Sequence, residues 1–383
     1  MPAGSPTGRA PTRRALGRIA VLLILLYGFL LAIGLMESAF RGFGASQAGG
    51  LFEGVSNPFV ALMVGVLATV LVQSSSVTTS TIVALVASGQ LPLVLAVPMV
   101  MGANIGTSMT STLVSLGSVR NSLGFRRAFA CATVHDAFNV LSVLVLLPLE
   151  LATGWLHLSA ERLAGLAHGV GGGTASASPW SSPINVAVRS SVSLLDGLLA
   201  AIGAPQPWLA LVTLALALGL IFFSLLRIMS VMRSLLAERI EASLNRMLGR
   251  SGLLGLLAGA GMTFAVQSSS ITTSMLVPMA GAGILSLRNA YPIVLGCNIG
   301  TTATALIASL ATDSESALAI ALVHLLFNAG GSLLFYAVPG LRTLPPRLSE
   351  GLAELATRNK AWIVIYLAFL FIVLPLAGIL LFH

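Results

Sequence analysis

QSSSVTTSTIVALVASGQLPLVLAVPMVMGANIGTS, residues 73–108, is written a second time as QSSSITTSMLVPMAGAGILSLRNAYPIVLGCNIGTT, residues 267–302. The displacement of 194 residues (267 minus 73) also carries Asn104 onto Asn298 and Gly106 onto Gly300. Each copy sets a Gln and a run of hydroxyls in an apolar background and follows with Gly-x-Asn-Ile-Gly-Thr. A soluble core disfavours so many hydroxyls with so few large side chains. In a bilayer, polar residues of this kind face a cavity or a partner helix.

Composition agrees with the bilayer. Hydrophobic residues make up 56% of the 383 and charged residues only 8%, against roughly a quarter charged in soluble domains. Several apolar stretches reach the roughly 20 residues that a helix needs to cross. The expected fold class is an all-α polytopic membrane protein with two inverted-topology repeats, whose broken or re-entrant helices carry the Gln-Ser-Ser-Ser motifs. The formal charge of +8 comes from 20 Lys+Arg against 12 Asp+Glu, and nearly all the bases flank apolar segments. That pattern orients a membrane protein by the positive-inside rule and argues against nucleic acid as a partner. Cys131 and Cys297 each sit in an apolar repeat segment and read as reduced packing residues.

In chain order, residues 1–18 form a cytoplasmic tail with Arg9, Arg13, Arg14 and Arg18. A first transmembrane helix and a Gly-rich external loop occupy 19–57, and repeat 1 occupies 58–149. Interfacial helices around an external Gly/Ser/Pro linker fill 150–207. A further span with a basic cytoplasmic helix fills 208–251, repeat 2 fills 252–340, and 341–383 hold a basic loop and the last span. In repeat 1 the apolar run from Phe59 to Ala87 is polar between Gln73 and Thr81, which predicts half-helices or a re-entrant hairpin. A second break is expected at Gly102–Gly106. Repeat 1 begins outside and repeat 2 inside, and the mid-repeat loops agree: Arg126-Arg127 in the first, Asp313 and Glu315 in the second. Opposite entry makes the repeats inverted, the architecture of many secondary transporters. Charge bookkeeping places the N-terminus in the cytoplasm and the C-terminus outside, in the cell membrane. No oligomeric state is specified.

A Gln-Ser-Ser-Ser run at a helix break combines freed backbone N–H groups, a favourable dipole end, neutral hydroxyls and an amide, which suits an oxyanion such as phosphate. The same hydroxyls and unwound carbonyls suit a dehydrated sodium ion. No His/Cys cluster indicates a transition metal. One Ser-Ser-Ser run alone would be read as tight helix packing; two, each joined to Gly-x-Asn-Ile-Gly-Thr at identical spacing, favour one shared site near mid-membrane. The candidate substrate and sodium residues are Gln73, Ser74, Ser75, Ser76, Thr79, Asn104 and Thr107, with Gln267, Ser268, Ser269, Ser270, Thr273, Asn298 and Thr301. Asn104 and Asn298 serve either as ligands or as partners of the broken backbone. His135 and His324, in a recurring His-x-x-Phe-Asn, read as structural hydrogen-bonders. Asp136 is an intramembrane carboxylate whose counterpart is Leu325; a helix cap, an arginine partner and a cation site are all open roles for it.

With these residues the sequence resembles the type II sodium–phosphate cotransporters, from about Ser56 to Ala377. Both Gln-Ser-Ser-Ser copies match, as do Met101–Ser108, Leu295–Thr302, Phe125–Ala130, Thr133–Asn139 and His324–Asn328. The resemblance implies sodium-driven symport of inorganic phosphate by alternating access, with substrate and sodium between Gln73–Ser76 and Gln267–Ser270, sodium as the coupling ion and no organic cofactor. It also implies an Ala-Gly-Asp tract in electrogenic members. Ala48-Gly49-Gly50 stands here in what reads as its place, so Gly50 implies electroneutral transport, with Glu53 as a substitute carboxylate. Two other readings compete: a transporter of another oxyanion such as sulfate, and an intramembrane serine hydrolase, which the absence of Gly-x-Ser-x-Gly disfavours.

Overall fold

The structure is a computed structural model that describes residues 11–43, 55, 57–170, 183–201, 203, 205–247 and 252–382. Gly50 and Glu53 lie outside the described residues. The described chain is helical without strands, as an apolar solvent demands, since a helix satisfies its own backbone groups. Helix α1 spans Pro11–Gly42; α2 Pro58–Val72, α3 Ser75–Ala87, α4 Leu93–Gly106, α5 Met109–Ser115 and α6 Ser122–Thr153 follow. Next come α7 Trp155–Val170, α8 Pro183–Ala200 and α9 Gln206–Met247. The second copy comprises α10 Gly252–Val266, α11 Ser269–Gly281, α12 Leu287–Ser309 and α13 Glu315–Ser332. Helix α14 is Leu344–Arg358, and the last helix, α15, runs over Ala361–Phe382 with a π segment at Phe369–Val373.

Among the described residues seven helices are long and apolar enough to cross a membrane. The segments on either side of each Gln-Ser-Ser-Ser are not. Helices α2 and α10 have 15 residues each, α3 and α11 have 13. At ~1.5 Å per residue these fall well short of a ~30 Å hydrocarbon core. They are half-helices joined at the polar motif. Gly89 and Gly283, both at positive φ (+75 and +77), turn α3 into α4 and α11 into α12.

Two glycine contacts fix how the half-helices pack. In α2 and α4, a Cβ on Gly65 would overlap the Met99 carbonyl and one on Gly102 the Leu62 carbonyl. In α10 and α12 the same reciprocal contact joins Gly259 to Ile293 and Gly296 to Leu256. Close backbone approach through small residues is how helices associate in lipid. The two copies then interlock: α3 packs on α12 and α13, while α11 packs on α5 and α6. Helix α1 lies along α9, and α14 lies on α6.

Three local expectations come out differently. The second break of repeat 1 falls at Thr107–Ser108, after the glycines, and its counterpart α12 is continuous. The basic segment after Leu226 prolongs the span as one helix to Met247. Helix α7 is more than interfacial, because Leu156, Ala160 and Ala164 are buried where it packs on α13. An amphipathic pattern looks the same whether its apolar face meets lipid headgroups or another helix.

Candidate functional site

Both half-helix junctions are built alike. Gln73 and Gln267 end α2 and α10 in the left-handed region (φ 56 and 58), the two non-glycine residues to do so among the described residues. That conformation costs ~1–3 kcal/mol and is held by the side chain. Gln73 Nε2 donates to Val70 O and Gln267 Nε2 to Phe264 O, both at 2.5 Å. Each thereby satisfies a carbonyl left open where its helix ends. Each amide oxygen accepts from a threonine, Thr110 at 3.4 Å and Thr304 at 2.9 Å. A glutamine can donate and accept at once, so it closes this turn and ties it to α5 in the first copy and to α12 in the second. The threonines obey the same displacement of 194 (304 minus 110), a signal by which the sequence could have nominated them.

The serine that follows caps the second half-helix. Ser74 Oγ accepts from Val77 N and Ser268 Oγ from Ile271 N, each at 3.3 Å. The first intrahelical bond of α3 runs from Thr78 N to Ser74 O, so the amides of Ser75 and Ser76 precede it and stay open at the N-terminus. In α11 the bond from Thr272 N to Ser268 O leaves Ser269 and Ser270 in the same position.

The two N-termini open onto one cavity of about 240 Å3, lined by Gln73–Ser76 and Gln267–Ser270 and closed on one side by Phe222, Leu225, Leu226 and Met229 of α9. Ser269 Oγ is buried with no hydrogen-bond partner among the described residues. No charged side chain lines this space. The cavity therefore offers an anion two helix N-termini and uncommitted hydroxyls, but no formal positive charge.

The other candidates are placed elsewhere. Thr79, Thr107, Thr273 and Thr301 donate to carbonyls of their own helices, each at 2.9 Å. Thr273 Oγ1 also lies 2.7 Å from Ser111 Oγ, a bond between the two copies. Asn104 and Asn298 belong to a buried network that crosses between the copies. His135 Nε2 meets Asn298 Oδ1, and His324 Nε2 meets Asn104 Oδ1 at 3.3 Å. Asn139 stands at the centre, donating to Asn104 O at 2.7 Å and accepting from Asn298 Nδ2 at 2.6 Å. Asn328 Nδ2 adds a bond to Asn104 Oδ1 at 3.1 Å. None of these residues lines the cavity. With the histidines bound to asparagines, no serine–histidine pair of a hydrolase forms among the described residues.

Asp136, 2% exposed, accepts from Ser108, from Thr112 at 3.4 Å and from Tyr366 of α15 at 2.5 Å. It sits inside α6, away from either helix end, and makes no ion pair with arginine among the described residues. The cap and arginine-partner roles are thus unfilled. Tyr366 left no trace in the sequence, because it comes from the last helix and has no counterpart in the repeat.

The profile of the Na+/Pi-cotransporter family matches residues 28–147 and 220–338, taking in both junctions and both histidines. Sodium-dependent phosphate transport protein 2A of Ovis aries is 36% identical over 427 residues, covering 94% of this chain. Sodium-dependent phosphate transport protein 2B of Homo sapiens is 35% identical over 448 residues, covering 95%. The chain spans 66% and 65% of the lengths of these relatives. No solved structure matches.

Proposed function

This chain belongs to the Na+/Pi-cotransporter family, and from that premise we propose that it is a secondary active transporter carrying inorganic phosphate into the cell together with sodium. The observation that carries the reading is the single uncharged cavity onto which both Gln-Ser-Ser-Ser junctions open. A dianion desolvated there without a cation would be costly; sodium ions entering with it cancel the charge, and the coupling follows from that electrostatic need. Ser75, Ser76, Ser269 and Ser270 offer hydroxyls and backbone amides to the phosphate oxygens. Freed carbonyls at the same junctions are oxygen ligands of the kind sodium takes. Alternating access is a movement of the hairpins α3–α4 and α11–α12 against the flanking helices, with the copies as inverted repeats exchanging conformations. Sulfate is the runner-up cargo, since its geometry is the same. In proteoliposomes, an inward sodium gradient is expected to drive uptake of radiolabelled phosphate that choline cannot support and excess sulfate does not inhibit. Uptake that ignores sodium, or equal competition by sulfate, would refute the assignment.

Asp136 supports a finer proposal. A buried carboxylate ringed by three hydroxyls, without a basic partner among the described residues, is an all-oxygen site that suits a hard cation. We assign it one of the coupling sodium ions. Asp136→Asn keeps the size and most hydrogen bonds but removes the charge. The variant is expected to carry one sodium fewer per phosphate, read as the ratio of the two tracer fluxes. An unchanged ratio in a folded, active variant would make the carboxylate structural.

A further inference from the structure

A larger cavity than the one between the serines, about 350 Å3, opens where the tip of hairpin α11–α12 meets the start of α6. It is lined by Arg126 and Arg127 from α6, by Gly283 and Ser286 from the tip, and by Glu350 from α14. Both arginines are exposed, and neither makes an ion pair or hydrogen bond among the described residues. Glu350 is the one carboxylate in the lining and forms no ion pair with either of them. The cavity therefore holds two guanidiniums against one carboxylate. Ser286 is the N-cap of the 23-residue α12, which adds that helix's N-terminal field to the same space.

The seating of the tip explains how a guanidinium comes to line it. A Cβ on Gly283 would lie 2.6 Å from Arg127 Nη1, so the glycine lets the arginine lie against the backbone. On the neighbouring turn, a Cβ on Gly281 would stand 3.3 Å from Gly124 O and 3.3 Å from the Ala128 Cβ, so tip and helix are in close contact. The tip of the other hairpin has no such surroundings: a Cβ on Gly89 would meet nothing within 4 Å. The basic cavity is thus a property of one hairpin and not of the repeated architecture.

We propose that this cavity is a second, sodium-independent binding site for a phosphate group, held by Arg126 and Arg127 where hairpin α11–α12 rests on α6. Guanidinium forks suit phosphate oxygens through paired charge-assisted hydrogen bonds. They also supply the positive charge that the serine cavity lacks, so this site needs no sodium. An anion there ties the tip to α6, and its occupancy opposes movement of that hairpin. The arginines lie on the face that the positive-inside rule assigns to the cytoplasm, where the group is either free phosphate or a lipid headgroup. The proposed function enters only in naming the free anion.

Equilibrium binding of radiolabelled phosphate to the purified full chain tests this in choline and in sodium. In choline the wild type is expected to bind phosphate, and R126Q/R127Q to weaken that binding by at least ~10-fold. R120Q/R347Q, an equal loss of exposed charge at positions outside the cavity lining, is expected to leave it within twofold. The serine variant S75A/S269A is expected to lose the sodium-dependent component and keep the sodium-independent one, so the two readings fail separately. Absence of binding in choline by phosphate and by short-chain phosphatidic acid alike, or equal weakening by the two arginine pairs, overturns the proposal. Phosphatidic acid acting at lower concentration than free phosphate identifies a headgroup site, and the reverse order identifies the free anion; both support it.

Discussion

Ser75→Ala combined with Ser269→Ala is expected to abolish measurable sodium-driven phosphate uptake while leaving the protein folded. Each serine occupies the first turn of its half-helix, buried at 8% and 2% exposure, with its hydroxyl committed to no other group among the described residues. Alanine is a good helix former, so both N-termini persist without the hydroxyls. A hydrogen bond to a charged group contributes ~1.5–3 kcal/mol, so each single substitution should weaken apparent phosphate affinity at least ~10-fold. Because the serines come from different helices and act on one anion, the double variant should lose ~100-fold or more if the effects add. Ser74→Ala serves as the contrast. It removes an N-cap, costs ~1 kcal/mol of stability, and should show first in thermal unfolding. Uptake kinetics in proteoliposomes, beside unfolding curves in detergent, separate the cases. If both single variants keep wild-type affinity and sodium dependence, phosphate is held somewhere other than the junction cavity.

Gly259→Ala should be among the most damaging single-methyl changes in the half-helix pairs, and Gly261→Ala, two residues along the same helix, one of the mildest. The added Cβ at 259 overlaps the Ile293 carbonyl, which is backbone and cannot rotate away, whereas a Cβ at 261 meets nothing within 4 Å. Separating α10 from α12 also opens the reciprocal contact of Gly296 with Leu256. Overpacking of this kind costs ~1–3 kcal/mol or more, while Ala in place of an unconstrained helical Gly contributes up to ~1 kcal/mol of stability. Gly65→Ala should reproduce the loss in the first copy, since its Cβ overlaps the Met99 carbonyl in the same way. Thermal unfolding in detergent should place Gly259→Ala and Gly65→Ala well below wild type and Gly261→Ala at or above it. Coincident curves for the 259 and 261 variants would mean that α10 and α12 do not pack through these glycines.

What is local or periodic can be read along the chain alone. A displacement of 194 residues was enough to align the two junctions, to place each Gln-Ser-Ser-Ser run at a helix break, and to nominate its serines for the site; that Ser74 and Ser268 cap the second half-helices came from the structure. Such features depend on neighbours along the chain, where Gln and Ser act on backbone groups three or four residues away. The paired Gln-Ser-Ser-Ser runs that line the cavity were legible for that reason.

Tertiary structure decided what lies between elements. Asn104 and Asn298 were open in the sequence between ligand and backbone partner; only the packing of α4, α6, α12 and α13 turns them toward His324, His135 and Asn139. Tyr366 reaches Asp136 across 230 residues, and Phe222 to Met229 close a cavity whose polar wall comes from two other segments. The basic cavity at Arg126 and Arg127 exists only because Gly281 and Gly283 let a hairpin tip rest on α6. The physical reason is common to all of these. A membrane helix that is apolar on every side carries no stripe to say which neighbour it will face, so its partners are set by where small residues allow backbones to meet and where buried polar groups find one another.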